Sequence, residues 1–207
     1  MRLRYVLPAL ALAVVTVGAE AQIGVYLNPV VTRISNSTPD NGPFSFLGNG
    51  VTSRTFGGLD FGGYYDITRG PGMKFGVDVR DTTVHANNAS LNTFSLGGRV
   101  EASPIAYRLR PYAEVYAGAA RSKAELSLVH TTRAAFGVLA GLDLPLNRHV
   151  DFRVVELGYG SVTTTNSNIY GTPTPTPIGA STQFSVSSGL VFRFLVPGGA
   201  KKRKQTY

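Results

Sequence analysis

Apolar and polar positions alternate with period two along most of the chain, the spacing that puts successive side chains on opposite faces of a β-strand. From Lys74 to Arg80, Phe75, Val77 and Val79 share one face while Lys74, Gly76, Asp78 and Arg80 share the other. Thr93 to Ala102 repeats the pattern, with Phe94, Leu96, Gly98, Val100 and Ala102 against Ser95, Gly97, Arg99 and Glu101. In Arg133 to Leu144 the apolar set is Ala134, Phe136, Val138, Ala140, Leu142 and Leu144, opposed by Arg133, Gly137, Gly141 and Asp143. Gln183 to Phe194 sets Phe184, Val186, Ser188, Leu190, Phe192 and Phe194 against Gln183, Ser185, Ser187 and Arg193. Gln22 to Thr32, Arg54 to Ile67, Pro111 to Arg121 and Val150 to Ser161 complete a set of eight strands.

Three of these last segments carry further detail. Leu59, Phe61 and Tyr65 oppose Asp60, Tyr64 and Asp66, and the glycines at 57, 58, 62 and 63 ease the bend of a closing sheet. Ala113, Val115, Ala117 and Ala119 oppose Tyr112, Glu114 and Tyr116. The seventh segment breaks step, because Asp151 and Arg153 share a parity that Glu156 does not. A bulge at Val154 and Val155 restores it, sending all three charges to one side and Leu157 and Tyr159 to the other.

Connections supply the topology. The links after the second, fourth and sixth strands are short, Thr68 to Gly72, Ser103 to Arg110 and Pro145 to His149. Those after the first, third, fifth and seventh are expected to be mostly longer and polar, notably Arg33 to Ser53 and Val162 to Thr182. The expected fold is all-β, an eight-stranded antiparallel up-and-down transmembrane β-barrel. A soluble barrel of lipocalin type would show the opposite polarity, apolar inside and charged outside. Beyond residue 21 no uncharged apolar run reaches the length of a spanning helix; Ala134 to Leu142, among the longest, has nine residues.

Composition agrees with this pattern. Of 207 residues 43% are hydrophobic and only 15% charged, against about 25% in an average soluble domain. With no cysteine, disulfide scaffolds, thiolate catalysis and cysteine-based metal sites are excluded, while 24 glycines and 12 prolines favour strands and turns. Residues 1–21 read as a signal peptide: Arg2 and Arg4, an uncharged run from Tyr5 to Gly18, then Ala19-Glu20-Ala21 before a cut ahead of Gln22. The barrel is expected over 22–194 and a basic periplasmic tail over 195–207, with Lys201, Lys202, Arg203 and Lys204 contributing to the net charge of +8.

From Gln22 to Phe194 the chain resembles the small eight-stranded outer-membrane barrels of Gram-negative bacteria, of OmpA-type transmembrane-domain and porin-like kind. The last strand, Phe184-Ser-Val-Ser-Ser-Gly-Leu-Val-Phe-Arg-Phe194, is similar to the aromatic-ended signal read by the barrel-assembly machinery, with Phe184, Leu190, Phe192 and Phe194 its apolar face. Val150-Asp-Phe-Arg-Val-Val-Glu-Leu-Gly-Tyr159 is similar to that family's penultimate strand. The chain departs from the family pattern in the thirteen residues after Phe194 and in having no peptidoglycan-binding domain there, so a cell-wall anchoring role is not carried over. The resemblance implies an outer-membrane protein with extracellular loops, periplasmic termini and a structural or surface-interaction role. A narrow porin-like channel and a lipid-modifying enzyme are the alternatives.

Charges on the inner face are expected to fill the lumen, since eight strands leave room for side chains and little else. They are Asp60, Asp66, Lys74, Asp78, Arg80, Arg99, Glu101, Glu114, Arg133, Asp143, Asp151, Arg153, Glu156 and Arg193. Folding the second hairpin symmetrically about position 70 sets Asp60 opposite Arg80 and Asp66 opposite Lys74, and the next turn sets Arg99 opposite Glu114 and Val100 opposite Ala113. Arg33, Arg54, Arg121 and Lys123 cluster near the upper strand ends, placed for lipopolysaccharide phosphates. Thr172-Pro-Thr-Pro-Thr-Pro177 suggests a stiff extended loop displaying Tyr170, of unknown partner. His85, His130 and His149 are scattered, with His85 and His130 expected in outer loops, and no nucleotide loop, zincin motif or nucleophile elbow occurs. No enzyme, cofactor, metal or nucleic-acid partner is therefore expected; lipid, lipopolysaccharide and the assembly machinery are.

Overall fold

A computed structural model describes residues 22–40, 45–70, 72–126, 130–163 and 180–195. Eight antiparallel strands form it: β1 Gln22–Asp40, β2 Val51–Gly70, β3 Met73–Ala86, β4 Ala89–Ala102, β5 Arg110–Lys123, β6 Thr131–Pro145, β7 Val150–Val162 and β8 Ser181–Leu195. Each strand pairs with its neighbour in sequence, and β8 returns to β1 through pairs such as Ile23 with Phe194 and Val25 with Phe192, closing the barrel. The expected signal peptide, the Thr-Pro repeat with Tyr170 and the Lys201 to Lys204 run lie outside the described residues.

The alternation seen in the sequence is the wall itself. Val25, Leu27 and Val31 of β1, Leu59 and Phe61 of β2, Phe75, Val77 and Val79 of β3 and Phe94 and Leu96 of β4 all face outward, and the belt continues through Val115, Phe136, Val138, Leu157, Tyr159, Phe184, Val186, Leu190, Phe192 and Phe194. Register carries the belt from strand to strand, with Phe75 beside Val100, Val79 beside Leu96 and Val115 beside Val138. Ile23 to Val31 runs roughly 26 Å along β1 at about 3.3 Å per residue, which at a tilt of about 40° spans roughly 20 Å, most of the apolar band of about 25 Å. In β7 the bulge lies where the parity break put it: Arg153 pairs with Gly189 and Glu156 with Ser187, so Val154 and Val155 together oppose Ser188.

Expectations about connections and register are corrected in three places, the first being the Arg33 to Ser53 link, whose two ends are strand because β1 runs on to Asp40 and β2 begins at Val51. Strands β3 and β4 run on past the expected loop to a link of only Asn87 and Asn88, where Asn87 takes φ +51°, a conformation its short amide tolerates. His85 thereby falls in β3 rather than in a long loop. Between β2 and β3 the register is shifted by two residues from the symmetric fold: Asp60 lies opposite Thr82, Gly62 opposite Arg80 and Asp66 opposite Gly76. The turn is centred between residues 71 and 72 rather than on 70, with Gly70 opposite Met73, and a one-residue irregularity between Asp66 and Thr68 brings the offset back to an even two. A shift of two keeps every residue on its face. Between β4 and β5, Arg99 lies opposite Glu114 and Val100 opposite Ala113, as the second turn implied.

Inward glycines have a role beyond bending. Tyr26 lies opposite Gly62, Tyr64 opposite Gly24, Tyr112 opposite Gly141 and Tyr116 opposite Gly137, so each ring occupies the space its partner's side chain would take. A Cβ at Gly141 would stand 2.5 Å from the Tyr112 ring, whereas one at the outward Gly98 would meet nothing within 4 Å. Gly141→Ala is expected to destabilise the barrel by about 1–3 kcal/mol through overpacking, and Gly98→Ala to leave it within about 0.5 kcal/mol. Urea unfolding in lipid vesicles measures both; equal effects would refute the ring-over-glycine account.

Candidate functional site

The lumen has two chemically distinct halves. At the terminus end and through the middle, eight carboxylates and six cations form one connected set. It runs from Asp66 through Lys74 to Glu101, Arg99, Asp143, Arg153, Glu156 and Arg80, and Arg80 in turn gathers Asp60, Asp78 and Glu114. A branch leaves Glu101 through Arg110 and Asp151 to Arg193. Every member except Lys74 and Arg193 is buried, and those two sit toward the open end.

Arg80 and Arg153 organise the deepest layer. Arg80 donates to Asp60 at 2.7 Å and forks onto Glu156 at 2.6 and 3.0 Å, while Arg153 bridges Asp143 and Glu156, each at 3.0 Å. Geometry of this kind, two guanidinium donors on one carboxylate, is where arginine differs most from lysine. The guanidinium faces lie against the tyrosines: Arg153 between Tyr26 and Tyr112 at 4.7 and 4.8 Å, Arg99 between Tyr64 and Tyr112 at 4.2 and 3.7 Å. Tyr26 also donates to Asp78 at 2.7 Å and Tyr112 to Glu156 at 2.5 Å. Arg99 and Arg153 are thus each paired with two carboxylates and set against two tyrosine rings.

The other half of the lumen is apolar. Ile34, Phe56, Val84, Leu91, Ala120, Ala135 and Val162 point inward there, and Phe46 and Leu47, from the connection between β1 and β2, fold onto them. Phe46 stacks on Phe56 with centroids 5.0 Å apart and planes 13° from parallel. Between the halves, Thr82, Thr93, Ser95, Tyr116, Gln183 and Ser185 border a cavity of about 30 Å³, the room of roughly one water.

Thirteen of the fourteen residues expected to line the lumen as charges join the network. Arg133 does not: it keeps the inward parity but lies exposed near the start of β6, past the buried layers. Asp60 and Arg80 form their ion pair on the diagonal because the arginine is long enough to span the two-residue offset, and Lys74 stands 3.9 Å from Asp66 while bonding Glu101 at 2.7 Å. Arg99, although opposite Glu114, turns to Glu101 and Asp143 instead. Sequence reasoning missed Arg110, assigning it to a turn; its parity with Tyr112 and Glu114 was the available signal. It also missed Tyr26 and the apolar cap.

Of the four cations expected near lipopolysaccharide, Arg33, Arg121 and Lys123 lie on the outward face of their strands above the apolar belt, with Arg33 donating to Ser53 at 2.9 Å. Arg54 points inward and is held by Glu125 at 3.0 Å, by the Ala86 carbonyl at 3.0 Å and over the Phe56 ring at 5.8 Å, which takes it away from lipid. Phe184, Leu190, Phe192 and Phe194 are exposed on the outer wall. His85 and His130 are exposed toward the loop end and His149 is exposed at the opposite end, where its ring meets the Arg193 carbonyl at 3.4 Å.

The chain matches no family model and no curated protein. Among solved structures it is similar to Neisserial surface protein A, with a TM-score of 0.54 and 16% identity over 83% of this chain and 97% of that one. It is also similar to Ail, the attachment invasion locus protein of Yersinia pestis, with a TM-score of 0.51 and 10% identity over 85% of this chain and 100% of that one. At these identities the likeness is one of fold, the closed eight-stranded barrel.

Proposed function

We propose that this protein is an integral outer-membrane β-barrel with a structural or surface-interaction role and a closed lumen. The observation that carries the reading is polarity. An uninterrupted apolar belt faces out and a connected ion network faces in, an arrangement that water on the outside would penalise and lipid rewards. Closure of the lumen rests on the paired charges below and the Phe46 and Leu47 cap above, which leave space for about one water between them. In this reading the loop end faces outward, the termini are periplasmic, and Arg33, Arg121 and Lys123 meet lipopolysaccharide phosphates. The apolar face of β8 serves recognition by the barrel-assembly machinery. A surface protein and an attachment protein, as the two similar structures are named, suit this reading.

The mature chain should fractionate with outer membranes and resist unfolding in SDS until heated; recovery as a soluble periplasmic monomer would overturn the reading. Reconstituted in planar bilayers it should show little or no steady conductance. Reproducible channels of porin size would replace the closed barrel with the channel alternative, and a lipid A mobility shift in expressing cells would favour the enzyme.

A further inference from the structure

We infer that the barrel mouth at the terminus end is a binding site for a phosphate-type anion. That mouth holds a cavity of about 870 Å³ lined by Lys74, Arg108, Arg110, Arg148 and Arg193, with Glu101 the one carboxylate among the described lining residues. Three of the cations belong to the lumen network: Lys74 on Glu101, and Arg110 and Arg193 on Asp151. Arg108 and Arg148 stand on the β4–β5 and β6–β7 turns, exposed and without an ion pair among the described residues. Cations gathered round one cavity raise each other's energy, and an anion with several oxygens reverses the sign of those interactions. Arginine forks suit phosphate in particular.

Backbone conformation at the rim points the same way. Ala106–Arg108 forms a 3-10 turn in which Tyr107 and Arg108 take φ +57° and +65°, two successive non-glycine residues in the left-handed region that side chains avoid. Hydrogen bonds from Ile105 N–H to the Leu109 carbonyl, 2.8 Å, and from Leu109 N–H to the Ala106 carbonyl, 3.3 Å, hold the turn. This conformation sets Arg108 on the cavity wall and leaves Tyr107 89% exposed beside it. A rim that presents an arginine and an aromatic ring suits the boundary between lipid headgroups and water. The phosphate belongs either to an anionic lipid headgroup, which requires the outer-membrane reading above, or to a soluble anion, which does not.

The test uses the mature chain refolded in a neutral detergent, titrated by calorimetry with pyrophosphate and, separately, with a short-chain phosphatidylglycerol below its micelle concentration. One saturable site per barrel is expected for at least one probe, and the tighter probe identifies the source of the phosphate. Arg108→Gln with Arg148→Gln should weaken it at least about tenfold, since each removes a charge-assisted contact, while the urea midpoint stays in place. Arg133→Gln, exposed at the other end of the barrel, should change it less than about twofold. Arg148→Gln alone, on an exposed turn, serves if the pair refolds poorly. Absence of saturable binding at millimolar anion, or an equal loss from Arg133→Gln, would overturn the proposal. So would loss of binding on removal of Val196 to Tyr207 with none in the Arg108, Arg148 variant.

Discussion

Replacing Arg80 by methionine is expected to destabilise the folded barrel by about 3–5 kcal/mol, the cost of breaking a buried ion pair from one side. The reason is the surroundings rather than any single bond. Arg80 lies 2.6 Å from Glu156, 2.7 Å from Asp60, 3.6 Å from Glu114 and 3.8 Å from Asp78, with Tyr26 against its face at 5.0 Å. Without it four buried carboxylates face one another, and Arg153, already shared between Asp143 and Glu156, is the nearest remaining cation of the layer. Arg80→Met combined with Glu156→Leu should cost less than the two single changes added, because the second removes part of the charge the first leaves unbalanced. Urea unfolding in lipid vesicles gives the cycle. Arg121→Met, an exposed arginine on the outer wall, should shift stability by no more than about 0.5 kcal/mol. If Arg80→Met were as mild as that control, the lumen would be hydrated and the network without structural weight.

Phe56→Ala should cost a similar amount, about 3–5 kcal/mol, by emptying the centre of the apolar cap. Phe56 is fully buried, stacked on Phe46 and overlain by Arg54, whose other partners are the Ala86 and Phe46 carbonyls and Glu125. The loss has two expected readouts. Stability should fall in the urea transition, while small-ion conductance in planar bilayers should stay low, because the paired charges below the cap still close the lumen. Phe56→Leu, retaining most of the apolar volume, should recover much of the stability. A loss below about 1 kcal/mol for Phe56→Ala would mean the cap is not packed as described.

Strand number, the face of each residue and the bulge at Val154 and Val155 were legible because they depend on parity, and parity is local. Any residue two positions along a strand returns to the same face, so Asp60, Arg80, Arg99 and Glu114 were inward whatever the register. Partners were not legible for the same reason. Period two does not distinguish a hairpin folded about position 70 from one that turns past it and is brought back to an even offset by the irregularity before Thr68, and only the latter sets Gly62 opposite Arg80. The Asn87-Asn88 link escaped notice because polar residues from Asp81 to Asn92 read as loop, although they extend two strands.

What the chain's own order of residues determined is the amphipathic wall: eight strands, one face for lipid and one carrying charge, since the alternation that makes a strand also assigns its sides. What only closure of the barrel decided is which charges meet. Arg80 reaches Glu156 across 76 residues and Arg99 reaches Asp143 across 44, while Phe46 comes in from a connection to stack on Phe56. These contacts lie across the lumen or at its mouth rather than along a strand. They exist because a closed eight-stranded wall brings inward side chains of distant strands within reach of one another, and a long guanidinium in a narrow interior takes the carboxylates that surround it in space rather than the one opposite it in register.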